Sequence, residues 1–172
     1  MASIFLIRHA EPEMRGVLLG QMDSPLSEAG RERAAQVLGG MHVPVAWTSP
    51  LLRARETAAL LDARQVVEVP GLREIDHGEW TGRTWTEIEV KWADLAMRKS
   101  ADWLGVTAPG GEEWTTFLDR VRTAWQGIRE GPPDSAVVAH QGVNAALAYL
   151  IDGRNPLAFT QEYGEVIRLE YD

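Results

Sequence analysis

Four apolar residues, Ile4, Phe5, Leu6 and Ile7, run without interruption and stop abruptly at Arg8 and His9. An unbroken apolar run, as opposed to an apolar–polar alternation, is the pattern of a strand covered on both faces, and such strands belong to parallel sheets layered between helices. That one feature restricts the fold to α/β architectures and also says where to look for chemistry. In open α/β sheets ligands gather beyond the carboxyl ends of the strands, where a buried strand here delivers an arginine and a histidine.

The rest of the chain repeats the theme. Apolar clusters at 45–48, 66–69, 136–139 and 166–169 read as further strands. Between them lie helical patterns at 27–38, 51–61, 85–98, 114–128 and 142–150. Ser27 is positioned as an N-cap for the first, with Gly39 and Gly40 as its stop, and Ser49 followed by Pro50 has the same look before the second. The clearest amphipathic face joins Trp114, Phe117, Val121, Trp125 and Ile128. Alternation of strand and helix predicts a three-layer α/β sandwich, with a mostly parallel central sheet and helices on both faces. At 172 residues, without a linker or repeat, the chain is expected to form a single domain.

Composition removes several functions. Cysteine is absent, so there is no thiolate nucleophile, disulfide or cysteine-bound metal. The net charge of −8, from 17 basic and 25 acidic residues, disfavours nucleic acid and anionic membranes as partners. Any anion must be held by a local cationic pocket. Met1 leads directly into the first strand without a basic, apolar leader, so a cytoplasmic location is expected.

The chemically capable residues fall at strand ends. Arg8 and His9 follow the first strand, Arg53 opens the helix after the second, Glu74 comes shortly after the third, and His140 directly follows the fourth. Parallel strands would bring all five to one edge. Two arginines match the oxygens of a phosphomonoester, and a neutral imidazole can attack its phosphorus. A protonated Glu74 would supply the proton that the leaving alkoxide needs, and activity is then expected to favour mildly acidic over alkaline pH. Spacing alone leaves the nucleophile open between His9 and His140. The scheme needs no cofactor and no metal, and the scattered Asp23, Asp62 and Asp76 form no ligand cluster.

These residues sit in stretches that resemble the histidine phosphatase superfamily, with its phosphoglycerate mutase-like fold. Leu6-Ile7-Arg8-His9-Ala10-Glu11-Pro12 is similar to its Arg-His-Gly signature. In the family's order follow Asp23-Ser24-Pro25-Leu26-Ser27-Glu28-Ala29-Gly30, Ser49-Pro50-Leu51-Leu52-Arg53-Ala54, Leu72-Arg73-Glu74 and Val137-Val138-Ala139-His140-Gln141-Gly142. The resemblance implies His9 as the phosphorylated nucleophile, with Arg8, Arg53 and His140 completing the phosphate pocket and Glu74 as proton donor. Arg15, Gly20, Gln21 and Gln141 are assigned to substrate binding, with Arg15 as a third cation near the phosphate.

Two departures stand out. Ala10 replaces the usual glycine, which would be strained if that position needs a positive φ, and Gln141 stands where a glycine commonly follows the second histidine. Residues 83–108 read as a small cap insertion, too short and too rich in tryptophan for a typical mutase. The size and layout resemble small phosphatases such as α-ribazole-phosphate phosphatase, and the expected function is hydrolysis of a small-molecule phosphate ester through phosphohistidine. The alternatives are a mutase and a non-catalytic phospho-ligand binding module. Five of the seven tryptophans fall between Trp80 and Trp114, either as an aromatic cover for a ring-containing leaving group or as packing. His42 is expected in a solvated turn, His77 at the surface, and the arginines of 120–129 on a solvated helix face.

Overall fold

The computed structural model describes residues 1–172. In chain order it contains β1 (Ala2–Arg8), α1 (Glu28–Leu38), β2 (His42–Thr48), α2 (Leu52–Ala58), β3 (Asp62–Glu68), α3 (Trp85–Lys91), α4 (Ala93–Ala101), α5 (Trp114–Ile128), β4 (Ser135–Ala139), α6 (Gln141–Asp152) and β5 (Val166–Tyr171). The sheet order is β3-β2-β4-β1-β5. The first four strands are mutually parallel, and β5 runs antiparallel to β1 at the edge.

Side-chain alternation on the central strands explains the layers. Ile4 and Leu6 of β1, with Val137 and Ala139 of β4, face a core shared with Phe117 and Val121 of α5 and Leu147 of α6. Ile7, Ala136 and Val138 point the other way, onto Ala34 and Leu38 of α1 and Ala54 and Ala58 of α2. Burying each such aliphatic side chain contributes about 1.5–3 kcal/mol, so the apolar run that opens the chain anchors both cores. The expected α/β sandwich with a mostly parallel sheet is the observed architecture.

Local differences have local causes. β3 begins at Asp62, not at Val66, and is polar along most of its length. As an edge strand it pairs only with β2 and needs no continuous apolar sequence. β2 likewise begins at His42, which stands in the strand and not in a turn, with its ring Nδ1 2.9 Å from Asp62 Oδ2 on β3. The helical pattern at 85–98 is two helices broken at Trp92, whose backbone (φ −130°, ψ 51°) is not helical. α2 is shorter than expected and Ser49 does not cap it. The N–H of Leu52 donates instead to Asp23 Oδ1 at 2.6 Å, a cap supplied from the long loop before α1. A third, small core of Trp80, Ile88, Ala96 and Ala108 supports α3 and α4. No helix is long and apolar enough to cross a membrane.

Candidate active site

Because β1 to β4 are parallel, their carboxyl ends share one edge, and the residues that follow them meet there. A cleft of about 270 Å³ opens at this edge, lined among others by Arg8, His9, Gly20, Arg53, Glu74 and Gln141. His140 lies beneath it, with its ring centroid 5.2 Å from that of His9. The five residues separated by more than a hundred positions in the chain therefore form one cluster.

His9 is held at both backbone and ring. Its N–H donates to Ala139 O at 2.9 Å, which extends the β1–β4 ladder past the strand end. Its Nδ1 lies 2.7 Å from Ala10 O. A carbonyl oxygen can only accept, so Nδ1 carries the hydrogen and Nε2 keeps its lone pair. Burial, followed by the positive charges of Arg53 and Arg8, pushes the pKa of His9 down to about 3. The ring is therefore neutral at physiological pH and is nucleophilic at Nε2.

His140 is buried, and its Nε2 lies 2.8 Å from Ser49 Oγ. Ser49 Oγ also accepts the N–H of Leu51, an arrangement that suits donation of its own hydrogen to Nε2 and leaves the hydrogen of His140 on Nδ1. That Nδ1 is buried without a protein partner. Burial first, then the neighbouring His9 and arginines, hold the His140 pKa well below the ordinary histidine value. Ser49, expected to cap a helix, is occupied in orienting this ring.

The two guanidinium groups are anchored by carbonyls. Arg8 Nη1 donates to Gln161 O at 2.7 Å, and its guanidinium carbon stands 4.1 Å from the centroid of the Tyr163 ring. Arg53, almost wholly buried, donates through Nη1 to Met22 O and through Nη2 to Gly20 O, both at 2.7 Å. Fixed in this way, they hold positive charge at the cleft with little reorganisation left to occur when an anion arrives. Gly20 lines the cleft and adopts φ +51°, a left-handed backbone that glycine tolerates, and so turns its carbonyl onto Arg53.

Glu74 forms part of the opposite wall. Its Oε1 accepts the N–H of Ile75 at 3.0 Å, and its Oε2 accepts that of Gly142, in the first turn of α6, at 3.1 Å. A Cβ at position 142 would collide with Glu74 Oε1, so the glycine is what lets the carboxyl group approach the helix. The loop behind Glu74 is pinned by Arg120, which donates to the carbonyls of Gly71, Arg73 and Glu74 and pairs with Glu112 at 2.7 Å. Arg120 thus belongs to a buried-side network and not to a solvated helix face.

The remaining assigned residues divide. Gln141 lines the cleft and is fixed by bonds to Phe159 O and from the N–H of Gln161. Gln21 is not in the lining; it donates to Glu74 O at 3.1 Å and so braces the wall from outside. Arg15 is not brought to the cleft at all. It is mostly exposed and pairs with Glu11 at 3.5 Å, a carboxylate already shared with Arg33, and solvent offers it more than the crowded pocket. Ala10 has no positive φ, so the missing glycine carries no strain; its N–H donates to Thr57 Oγ1 and its methyl joins the core.

Several residues in the lining or directly behind it were not legible beforehand. Gln161 and Tyr163 precede β5, and an antiparallel strand enters the sheet at the edge where its parallel neighbours leave it. Gln161 ties Leu6 O, Asn144 and Arg8 into one buried network. His77 is half-buried and lines the cleft with Trp103, and burial lowers its pKa. The position of His77 in the Glu74 loop was the only available signal.

The sequence pattern of the histidine phosphatase superfamily (branch 1) matches residues 4–172. Phosphoserine phosphatase 1 of Hydrogenobacter thermophilus is 32% identical over 146 residues, covering 80% of this chain and 69% of that one. A 2,3-bisphosphoglycerate-dependent phosphoglycerate mutase of Methylobacterium radiotolerans is 30% identical over 168 residues, covering 87% and 79%. Among solved structures, the α-ribazole phosphatase of Shigella flexneri superposes with a TM-score of 0.86 at 25% identity, covering 99% of this chain and 91% of that one.

Proposed function

The chain belongs to the histidine phosphatase superfamily, and on that premise we propose that it hydrolyses a small-molecule phosphomonoester through a phosphohistidine at His9. One observation carries this reading. The His9 ring is neutral, and its Nδ1 is committed to Ala10 O, so Nε2 is free to attack within a cleft whose walls hold Arg8, Arg53 and the carboxyl group of Glu74.

In the first step Arg8 and Arg53 hold the phosphoryl oxygens while Nε2 of His9 attacks phosphorus. The N–P bond forms as the P–O bond to the leaving alcohol breaks, and protonated Glu74 gives its proton to the departing oxygen. In the second step the Glu74 carboxylate takes a proton from water. The resulting oxygen attacks phosphorus, the N–P bond breaks, and inorganic phosphate leaves a neutral His9 and a protonated Glu74. His140, with its unpartnered Nδ1, is the remaining donor available to the transferring group. A carboxyl group poised beside an anion pocket would give no advantage to simple binding of a phosphate dianion, which favours catalysis over a binding module. Residues 83–108 act as a small cap over this site.

Acid quench after mixing with a labelled phosphate ester tests the reading. The Glu74→Gln variant should accumulate an acid-labile, base-stable phosphoenzyme that His9→Ala abolishes, with free phosphate released by the wild type without a bisphosphate primer. Full turnover by His9→Ala would end it, and transfer to a second hydroxyl in place of water would make the protein a mutase.

A further inference from the structure

Beyond the cleft lies an apolar groove of about 410 Å³, and none of its nine lining residues is charged. The two cavities meet at Trp103, Gln141 and Gly142, which line both. Trp103 is 40% exposed and Leu157 is 60% exposed, so the groove presents unusually large apolar side chains to solvent.

The chemistry of Glu74 gives this junction a direction. A proton donor must touch the leaving oxygen, so the alcohol of the substrate lies beside Glu74. Glu74 in turn is held by the N–H of Gly142, the residue that forms part of the groove. The leaving group therefore emerges at the mouth of the groove and not toward Arg8 and Arg53 on the phosphate side.

On the leaving-group side the two cations that brace the wall are both engaged. The ammonium of Lys99 is tied to the carbonyls of Trp103 and Val106, and Arg120 is saturated by Glu112 and three carbonyls. His77, kept neutral by burial, offers only a hydrogen bond. A leaving group with its own carboxylate or second phosphate would face the carboxyl group of Glu74 with no counter-charge to offset its desolvation.

Resting on the phosphohydrolase reading, we propose that the substrate is the phosphate monoester of an uncharged alcohol, whose apolar or aromatic end crosses Trp103 and lies in the groove formed by Leu104, Trp114, Ala145, Leu157 and Phe159. Trp103 is then a specificity-determining residue at the threshold, and the groove is a second subsite that binds the part of the molecule not undergoing reaction.

The test compares kcat/KM for 4-phenylbutyl phosphate, glycerol 3-phosphate, phosphoserine and 3-phosphoglycerate, all alkyl esters. The phenylbutyl ester should exceed each of the other three by about tenfold or more, the effect of burying one phenyl group. That preference should collapse toward unity in Leu157→Glu, which places a charge in the groove from an exposed position. It should also collapse in Ala145→Leu, which fills the groove from the opposite wall. Equal rates, a preference for phosphoserine or 3-phosphoglycerate, or a preference that survives both substitutions would each overturn the proposal. If no ester is hydrolysed, the phosphohydrolase reading falls, and calorimetric binding of 4-phenylbutylphosphonate against methylphosphonate then decides the subsite. Tighter binding of the phenylbutyl compound, lost in Leu157→Glu, would support the groove; equal binding would refute it.

Discussion

The two walls of the cleft are built in opposite ways. On the phosphate side both imidazoles and Arg53 are buried and fixed to the sheet or the loops it feeds: His9 to Ala10 and Ala139, Arg53 to Gly20 and Met22, and His140 to Ser49. On the leaving-group side the wall is made of loops held by two pins, Arg120 and Lys99, and backed by the small tryptophan-rich core around Trp80. In the proposed reaction the first side holds a charge distribution common to all phosphomonoesters, and the second fits the alcohol.

The contrast can be broken most sharply at Gly142, whose N–H holds the carboxyl group of Glu74. Gly142→Ala drives a methyl group into Glu74 Oε1 and should lower kcat by about 10²-fold, the typical contribution of a positioned proton donor. Inorganic phosphate affinity, measured by calorimetry, should stay within about threefold of wild type, since one unit of RT separates factors of that order. A parallel loss of phosphate binding would mean that the two walls are not independent.

The phosphate side should also dominate the response to acid. A histidine whose pKa is lower folded than unfolded binds fewer protons in the folded state, so stability is complete above the unfolded value of 6.5 and is lost as pH falls below it. With the His9 pKa at about 3, acidification from about pH 7 to about pH 5 should cost about 2 kcal/mol from this residue alone. His140 and His77 shift in the same direction and add to the slope. Urea denaturation of wild type and of His9→Asn across that range checks this; equal slopes would show that His9 is not the buried neutral ring described here.

The smallest effect is expected at Ala10. Because its φ is not positive, restoring the family's glycine relieves nothing and removes a buried methyl group, so Ala10→Gly should destabilise by about 1 kcal/mol while leaving kcat within about twofold. A clear gain in activity would place strain where the backbone shows none.

The same contrast governs how much could be read beforehand. The phosphate side was legible because its residues directly follow strands or open a helix, and strand ends can be located from apolar runs. Much of the opposite wall was not. Trp103 and His77 sit in turns without periodicity, and Arg120 has the spacing of an exposed helix face until Glu112 and the Glu74 loop fold against it. Arg15 shows the opposite error: its cationic side chain suggested a place in the pocket, but Glu11 and solvent retain it outside.

Residue order and local pattern alone determined that four strand ends would carry two arginines, two histidines and a glutamate to one place, because the periodicity that makes a strand is written within a few neighbouring residues. Tertiary structure decided which imidazole nitrogen is free, what orients His140, and that Gln161 and Tyr163 complete the site ahead of an antiparallel strand. The last two of those choices rest on hydrogen bonds between residues 91 and 153 positions apart, Ser49 with His140 and Arg8 with Gln161. Partners at such separations leave no trace in any local window of the chain.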